Sequence, residues 1–149
     1  MTDLKLLITD KDTWANAEGE NEGIIFFLRF RPHLQPFIET NNYKKRFTVI
    51  WNYKSEDKSL LPSSRESELM EKLEDYLINS FEEDLQAILA FVYSGNDRRE
   101  WHWYSKDITE TRRRFNNLFA EFEKLSLKVS EENDPEWKEY KEVLESTEG

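Results

Sequence analysis

The sequence contains no cysteine and only four glycines among its 149 residues. Without cysteine there is no disulfide, no thiolate metal ligand and no cysteine nucleophile. The glycines are too scattered to form a glycine-rich loop that cradles a phosphate group. The two histidines, His33 and His102, do not stand at ligand-like spacing with acidic residues. We therefore expect no metal site and no cofactor.

Long apolar stretches are also absent. The longest apolar run, Ala87 to Tyr93, has seven residues, whereas a helix that spans a bilayer needs about 20. The N-terminus does not show the basic start and apolar run of a secretory signal peptide. These patterns predict a cytoplasmic protein that does not associate with membranes.

Acidic residues outnumber basic ones, and the net charge is −10. Because phosphate contacts dominate nucleic-acid binding, such a chain is an unfavourable nucleic-acid binder. An acidic protein suits a basic partner, for example a nuclease. Small basic clusters at Lys44 to Arg46, Arg98-Arg99 and Arg112 to Arg114 remain as local exceptions.

No catalytic constellation is recognisable. There is no G-x-S-x-G motif, and Ser94 before Gly95 is an ordinary turn residue. Glu74 and Asp75 are adjacent carboxylates, but neighbours in sequence do not share a helix face. We therefore predict no catalytic residues and favour a protein that is not an enzyme.

The length fits a single domain over residues 1–149, with a core at about residues 14–144. Hydrophobic alternation and turn residues predict strands at Trp14–Glu22, Ile24–Arg31, Lys45–Tyr53, the two arms of Gln86–Asp107, and Leu125–Val129. Capping patterns predict helices from Ser63 to about Glu82, from Asp107 to about Phe122, and after Asp134-Pro135.

This order of elements predicts an α+β fold. The last six elements before the terminal helix run β-α-β-β-α-β, the order of a ferredoxin-like two-layer sandwich with an antiparallel sheet. Two extra N-terminal strands and a short C-terminal helix would complete it. A different α+β sandwich of the same elements is the alternative.

Aromatic residues make up 14% of the chain. In Lys45–Tyr53 the side chains of Phe47, Val49, Trp51 and Tyr53 share one apolar face, which we expect helices to cover. In Ile24–Arg31 the alternation places Ile25, Phe27, Arg29 and Arg31 on one face, which opens to water toward the end of the strand. Since the aromatic faces belong to the core, a stacking surface for single-stranded nucleic acid is disfavoured.

Candidate binding residues cluster at the tip and margin of the Gln86–Asp107 hairpin, whose turn we place at Ser94 to Asp97. They are Arg98, Arg99 and Glu100 at the tip, with His102 and Tyr104 on the wetter face of the second strand. Arginine and tryptophan are enriched in the energetic centres of protein interfaces.

Two segments carry a family resemblance: Arg99 to Tyr104, and the D-P-x-W-x-x-Y pattern formed by Asp134 to Tyr140. Together with the Arg46 to Tyr53 strand, the Leu61-Pro62 loop and the helix bearing Glu74-Asp75, they resemble the bacterial family called domain of unknown function 695. The resemblance runs from about Trp14 to Leu144. It implies a ferredoxin-like α+β domain, no established activity, and a distant similarity to a bacterial ribonuclease inhibitor that acts by binding protein.

The sequence thus leads to one main functional hypothesis. We expect a non-enzymatic protein-binding or regulatory module of a bacterial cell. The alternative is a small-molecule-binding or hydrolytic enzyme that uses carboxylates and arginines. The third hypothesis is a structural homodimer whose two copies join through sheet edges or exposed aromatic side chains.

Overall fold

The structure is a computed structural model, and it describes residues 3–54, 62–120 and 127–147. The six strands of the described part are β1 (Ala15–Asn21), β2 (Ile24–Phe30), β3 (Lys45–Asn52), β4 (Ala87–Gly95), β5 (Arg98–Ser105) and β6 (Leu127–Asn133). Its five helices are α1 (Leu4–Leu7), α2 (Gln35–Glu39), α3 (Ser64–Glu82), α4 (Ile108–Phe119) and α5 (Lys138–Thr147). Leu61, Phe122 and the predicted strand start at Leu125-Ser126 lie outside the described residues.

The strands form one antiparallel sheet in the order β1-β2-β4-β5-β3-β6. The α+β class and the antiparallel sheet are therefore confirmed. The order of this six-stranded sheet differs from that of a four-stranded ferredoxin-like sheet, so the ferredoxin-like topology stays a prediction.

Helices cover both faces of the sheet, and the predicted two-layer arrangement is wrong. Strand residues alternate between the faces, so that Trp103 of β5 contacts Phe81 of α3, whereas the next residue, Tyr104, stacks on Trp137 before α5. The helices α3 and α4 cover one face, and α1, α2 and α5 pack against the other. The short α1 and α2 were not predicted, because four or five residues carry no helical periodicity.

We call the face of the sheet beneath α3 and α4 the α3 face. The alternation predicted for β3 is confirmed there. Phe47, Val49, Trp51 and Tyr53 are buried there. Ser63 caps α3 by accepting a hydrogen bond from the Glu66 amide, as its sequence pattern predicted.

The opposite face, which we call the α5 face, is closed by the segment around Trp137. The Trp137 ring lies 3.9 Å from that of Tyr104, and its indole N–H donates to the Tyr43 carbonyl at 2.8 Å. Trp137 has a φ of 57°, so the helix begins only at Lys138, not at the proline of the Asp134-Pro135 pair. The Asp134 carboxylate caps it by accepting from the amides of Lys138 and Glu139.

The β4–β5 hairpin turns at Asn96 and Asp97, which have φ values of 49° and 62°. Positive φ at both central residues matches the twist of the flanking strands. Gly95 is the last residue of β4 rather than part of the turn.

A buried ion pair joins the end of β2 to the end of α3. Arg31 donates to the Glu82 carboxylate at 2.7 Å, to Asp12 at 2.9 Å and to the Leu89 carbonyl at 3.0 Å. The expectation that Arg31 opens to water is wrong, since its side chain is only 2% exposed. Burial by itself lowers the pKa of Arg31, but Glu82 and Asp12 together raise it above its ordinary value.

We expect Glu82→Gln to destabilise the protein by about 3–5 kcal/mol, because it leaves a buried guanidinium without its main counter-ion. Chemical denaturation monitored by tryptophan fluorescence measures this change. The matched control is Glu83→Gln, whose side chain is exposed and whose effect we expect within about 0.5 kcal/mol. Equal effects of the two substitutions would contradict the central role of the pair.

Candidate functional site

The structure divides the predicted binding residues between the two faces of the sheet. Arg98, Glu100 and His102 lie on the α5 face, and Arg99 lies on the α3 face. Arg98, Arg99 and Glu100 are half-buried. The five residues therefore do not form one surface.

On the α5 face, three side chains form a hydrogen-bonded row. Arg98 donates to Glu100 at 2.5 Å, and the other oxygen of Glu100 lies 2.8 Å from Nε2 of His102. The His102 ring stacks on Phe91 at 4.1 Å, and its Nδ1 lies 3.4 Å from the Thr48 hydroxyl. A neutral imidazole with its proton on Nε2 satisfies both polar contacts.

His102 and Tyr104 were expected on a wetter face, and the structure contradicts this. His102 is 8% exposed and Tyr104 is completely buried. The Tyr104 hydroxyl donates to Asp134 at 2.7 Å and accepts from the Tyr140 amide at 3.3 Å. Burial and the hydrogen bond to Asp134 raise the Tyr104 pKa. Tyr104 is thus part of the core that holds α5.

On the α3 face, a groove of about 680 Å³ lies between β2 and α3. We call it the β2–α3 groove. Its walls come from β1, β2 and α3, and its floor from β4 and β5. Its lining residues are Asn16, Phe27, Leu28, Arg29, Pro62, Ser67, Glu71, Glu74, Asp75, Val92, Ser94 and Arg99.

Arg29 ties the two walls of the groove together. Its guanidinium forms an ion pair with Glu74 of α3 and lies 4.7 Å from the centre of the Trp14 ring. The same Glu74 oxygen accepts a hydrogen bond from the Trp101 indole at 3.0 Å. Glu74 is therefore engaged by two donors.

Arg99 projects into the same groove from β5. Its Nε donates to the Ser94 hydroxyl at 2.7 Å. Burial, followed by the repulsion of Arg29, lowers the pKa of Arg99, although a guanidinium stays charged at neutral pH. The groove thus combines two cations with the carboxylates of Glu71, Glu74 and Asp75.

Apolar residues border the groove on the β2 side. Ile25 is 45% exposed and Phe27 is 40% exposed, on the same face as Arg29. Strand alternation predicted their shared face. Phe27 pairs with Ser94 of β4 and Ser94 pairs with Arg99 of β5, so only the order of the strands in the sheet brings Phe27 and Arg99 into one groove. Arg29, Glu71, Asp75 and Phe27 were therefore missed as site residues.

The groove offers charged, hydroxyl and apolar contacts for a ligand. Among the described residues, no group of three or more histidine and acidic side chains could hold a metal ion. No helix in the described part of the chain is long and apolar enough to cross a membrane.

Fold and groove together define a class: an α+β protein with an antiparallel sheet, helices on both faces and one face left partly open. A model of the family of unknown function (DUF695) matches residues 12–145, and the chain belongs to this family. The resemblance to this family is thereby confirmed. No curated protein and no solved structure matches the chain.

We predict that His102 titrates below the ordinary histidine value of 6.5, because burial disfavours its charged form more than Glu100 favours it. Arg46 also disfavours the charge, while Glu139 favours it. Since the unfolded chain then binds the proton more readily, folding stability is lost as the pH falls below about 6.5, by at most about 1.4 kcal/mol per pH unit.

The pKa of His102 can be measured from its ring C–H chemical shifts between pH 4.5 and 8, values chosen to bracket the ordinary one. Denaturation of the wild type and of His102→Asn over the same range isolates its contribution to stability. A His102 pKa above 6.5, or equal pH dependence of the two proteins, would show the prediction to be wrong.

Proposed function

We propose that this chain is a non-enzymatic protein-binding or regulatory module, and that the β2–α3 groove is its binding surface. The observation that carries the proposal is the exposed apolar side chain of Phe27, which lines the charged groove, together with the exposed Ile25 on the same face of β2. Exposed apolar surface bordered by polar groups is typical of interaction sites.

The partner that best fits this rim is a basic protein. Glu18 and Glu20 of β1 stand directly opposite Phe27 and Ile25 in the strand pairing. Glu71 and Asp75 face them from α3 and are exposed. A partner segment with lysine or arginine beside an apolar residue would complement both kinds of surface.

We further propose that the protein acts in the bacterial cytoplasm, where a nuclease is one example of a basic partner. This rests on the composition of the chain and on the sequence resemblance. The ferredoxin-like grouping of β3, α3, β4, β5, α4 and β6 is proposed with it, and the pairing of β5 with both β3 and β4 supports that grouping.

Site-specific cross-linking tests the proposed surface. We expect a photoreactive phenylalanine analogue at Phe27 to capture a defined protein in cells of the source organism. Mass spectrometry identifies the captured protein, and purified components confirm binding. The matched control is the same analogue at Val129 of β6, which is 42% exposed and lies far along the sheet from β2.

Charge reversal tests the complementarity. The double substitution Glu71→Lys and Asp75→Lys should weaken binding of the identified partner about tenfold or more, because like charges across an interface repel. The proposal would be contradicted by equal cross-linking from Phe27 and Val129. It would also be contradicted if the charge reversal left the affinity for the partner unchanged.

A second candidate function is a small-molecule-binding or hydrolytic enzyme that uses carboxylates and arginines. One observation favours it: the groove volume of about 680 Å³ falls within the roughly 300–1,000 Å³ of ligand pockets, and two arginines and three carboxylates line it. A metabolite that raises the melting temperature of the wild type but not of an Arg29→Gln variant would support this candidate.

A further inference from the structure

Three arginines lie on the α3 face of the sheet, and the described residues neutralise only two of them. Arg31 pairs with Glu82 and Asp12, and Arg29 pairs with Glu74. Arg99 has no carboxylate within ion-pair distance in the described part of the chain. Every other arginine of the described residues that is half-buried or buried forms an ion pair with a carboxylate.

The guanidinium of Arg99 is held in a defined orientation. Its Nε–H donates to the Ser94 hydroxyl at 2.7 Å. Neither Nη group makes a hydrogen bond to another described residue, and the side chain lines the groove. The planar fork of a guanidinium matches the two oxygens of a carboxylate or phosphate.

Glu74 of α3 does not serve as the missing partner. Its Oε1 accepts from Arg29 and from the Trp101 indole, and its ion pair is with Arg29 and not with Arg99. A half-buried cation without a counter-ion is unfavourable. The arrangement therefore holds an open position for an oxyanion beside Arg99.

We propose that the floor of the β2–α3 groove binds an oxyanion through Arg99, and that this oxyanion is a carboxylate. Glu71, Glu74 and Asp75 also line the groove, and their charge disfavours a phosphate dianion more than a single carboxylate. The inference rests on the groove being the binding surface proposed above, and it adds the chemistry of one ligand group. On a partner protein, that group is an aspartate, a glutamate or the chain terminus.

Nuclear magnetic resonance of the full chain tests this directly. We expect acetate, added at constant ionic strength, to shift the Nε–H resonance of Arg99 in a saturable manner. Inorganic phosphate is the second probe and should bind more weakly. Tighter binding of phosphate than of acetate would overturn the assignment of a carboxylate and indicate a free phosphate-bearing ligand.

Two substitutions on neighbouring residues of β5 provide the matched comparison. In both variants acetate binding is followed through the backbone amide resonance of Ser94, whose hydroxyl contacts Arg99. Arg99→Gln should weaken acetate binding about tenfold or more, whereas Arg98→Gln, with the same loss of charge on the opposite face, should retain it. Because Arg99→Gln removes an unpaired cation, its melting temperature should equal or exceed that of the wild type, which establishes that it folds.

Two results would overturn the inference. The first is an Arg99 resonance that does not respond to acetate up to about 0.1 M, with the ionic strength and therefore the screening of charges held constant. The second is an equal loss of binding in both variants. If cross-linking from Phe27 persists in either case, the protein-binding proposal stands alone. If Arg99 responds but Phe27 captures no partner, the oxyanion site stands and the partner proposal fails.

Discussion

Arg31 and Glu82 meet where the end of β2, the end of α3 and the first half of β4 come together. The Glu82 carboxylate also accepts from the Leu89 amide at 2.8 Å. One buried acid of α3 is therefore bonded both to β4 and to the arginine that follows β2. Removing one member of such a pair leaves a buried charge, so the contact is costly to break. It fixes the distance between β2 and α3 at one end of the groove, and Arg29 with Glu74 fixes it again nearer the middle. The groove is therefore a gap between two elements that are tied together, rather than a loose surface.

The groove stays open because α3 and α4 cover only part of their face. Their core cluster takes its buried strand residues from β3, β4 and β5, and none from β1 or β2. On the opposite face, Phe30 of β2 is buried, with Ala15 and Ala17 of β1 packed beside it. The β1–β2 hairpin is thus anchored from one side and exposed on the other. The large apolar residues of β2 on the α3 face, Ile25 and Phe27, are therefore exposed.

Much of this fold could be predicted from the sequence. The period of two in β3 gave the correct buried face, and the capping residues Ser63 and Asp107 marked two helix starts correctly. The covering of the second face could not be predicted, because its strands carry polar residues. Thr48 and His102 are buried there, since the hydrogen bonds to Glu100 and between their own side chains satisfy them. An alternation of polar and apolar residues predicts a face that is exposed to water. The pattern of a single strand does not show that its polar side chains will find hydrogen-bond partners on a neighbouring strand.

The candidate site was predicted only in part, for a related reason. The pair Arg98-Arg99 was recognised, but neighbouring strand residues point to opposite faces, and only the register places Arg99 beside Ser94 and near Arg29. A shortage of acidic residues does not explain the missing partner, because the chain has 31 of them against 21 basic ones. The exposed Arg112 and Arg113 each have a carboxylate, and Arg114 has two. The half-buried Arg99 therefore lacks an ion pair because of where the described carboxylates lie, and not because carboxylates are few. An external anion would need such an arginine, one whose charge is not already paired within the protein.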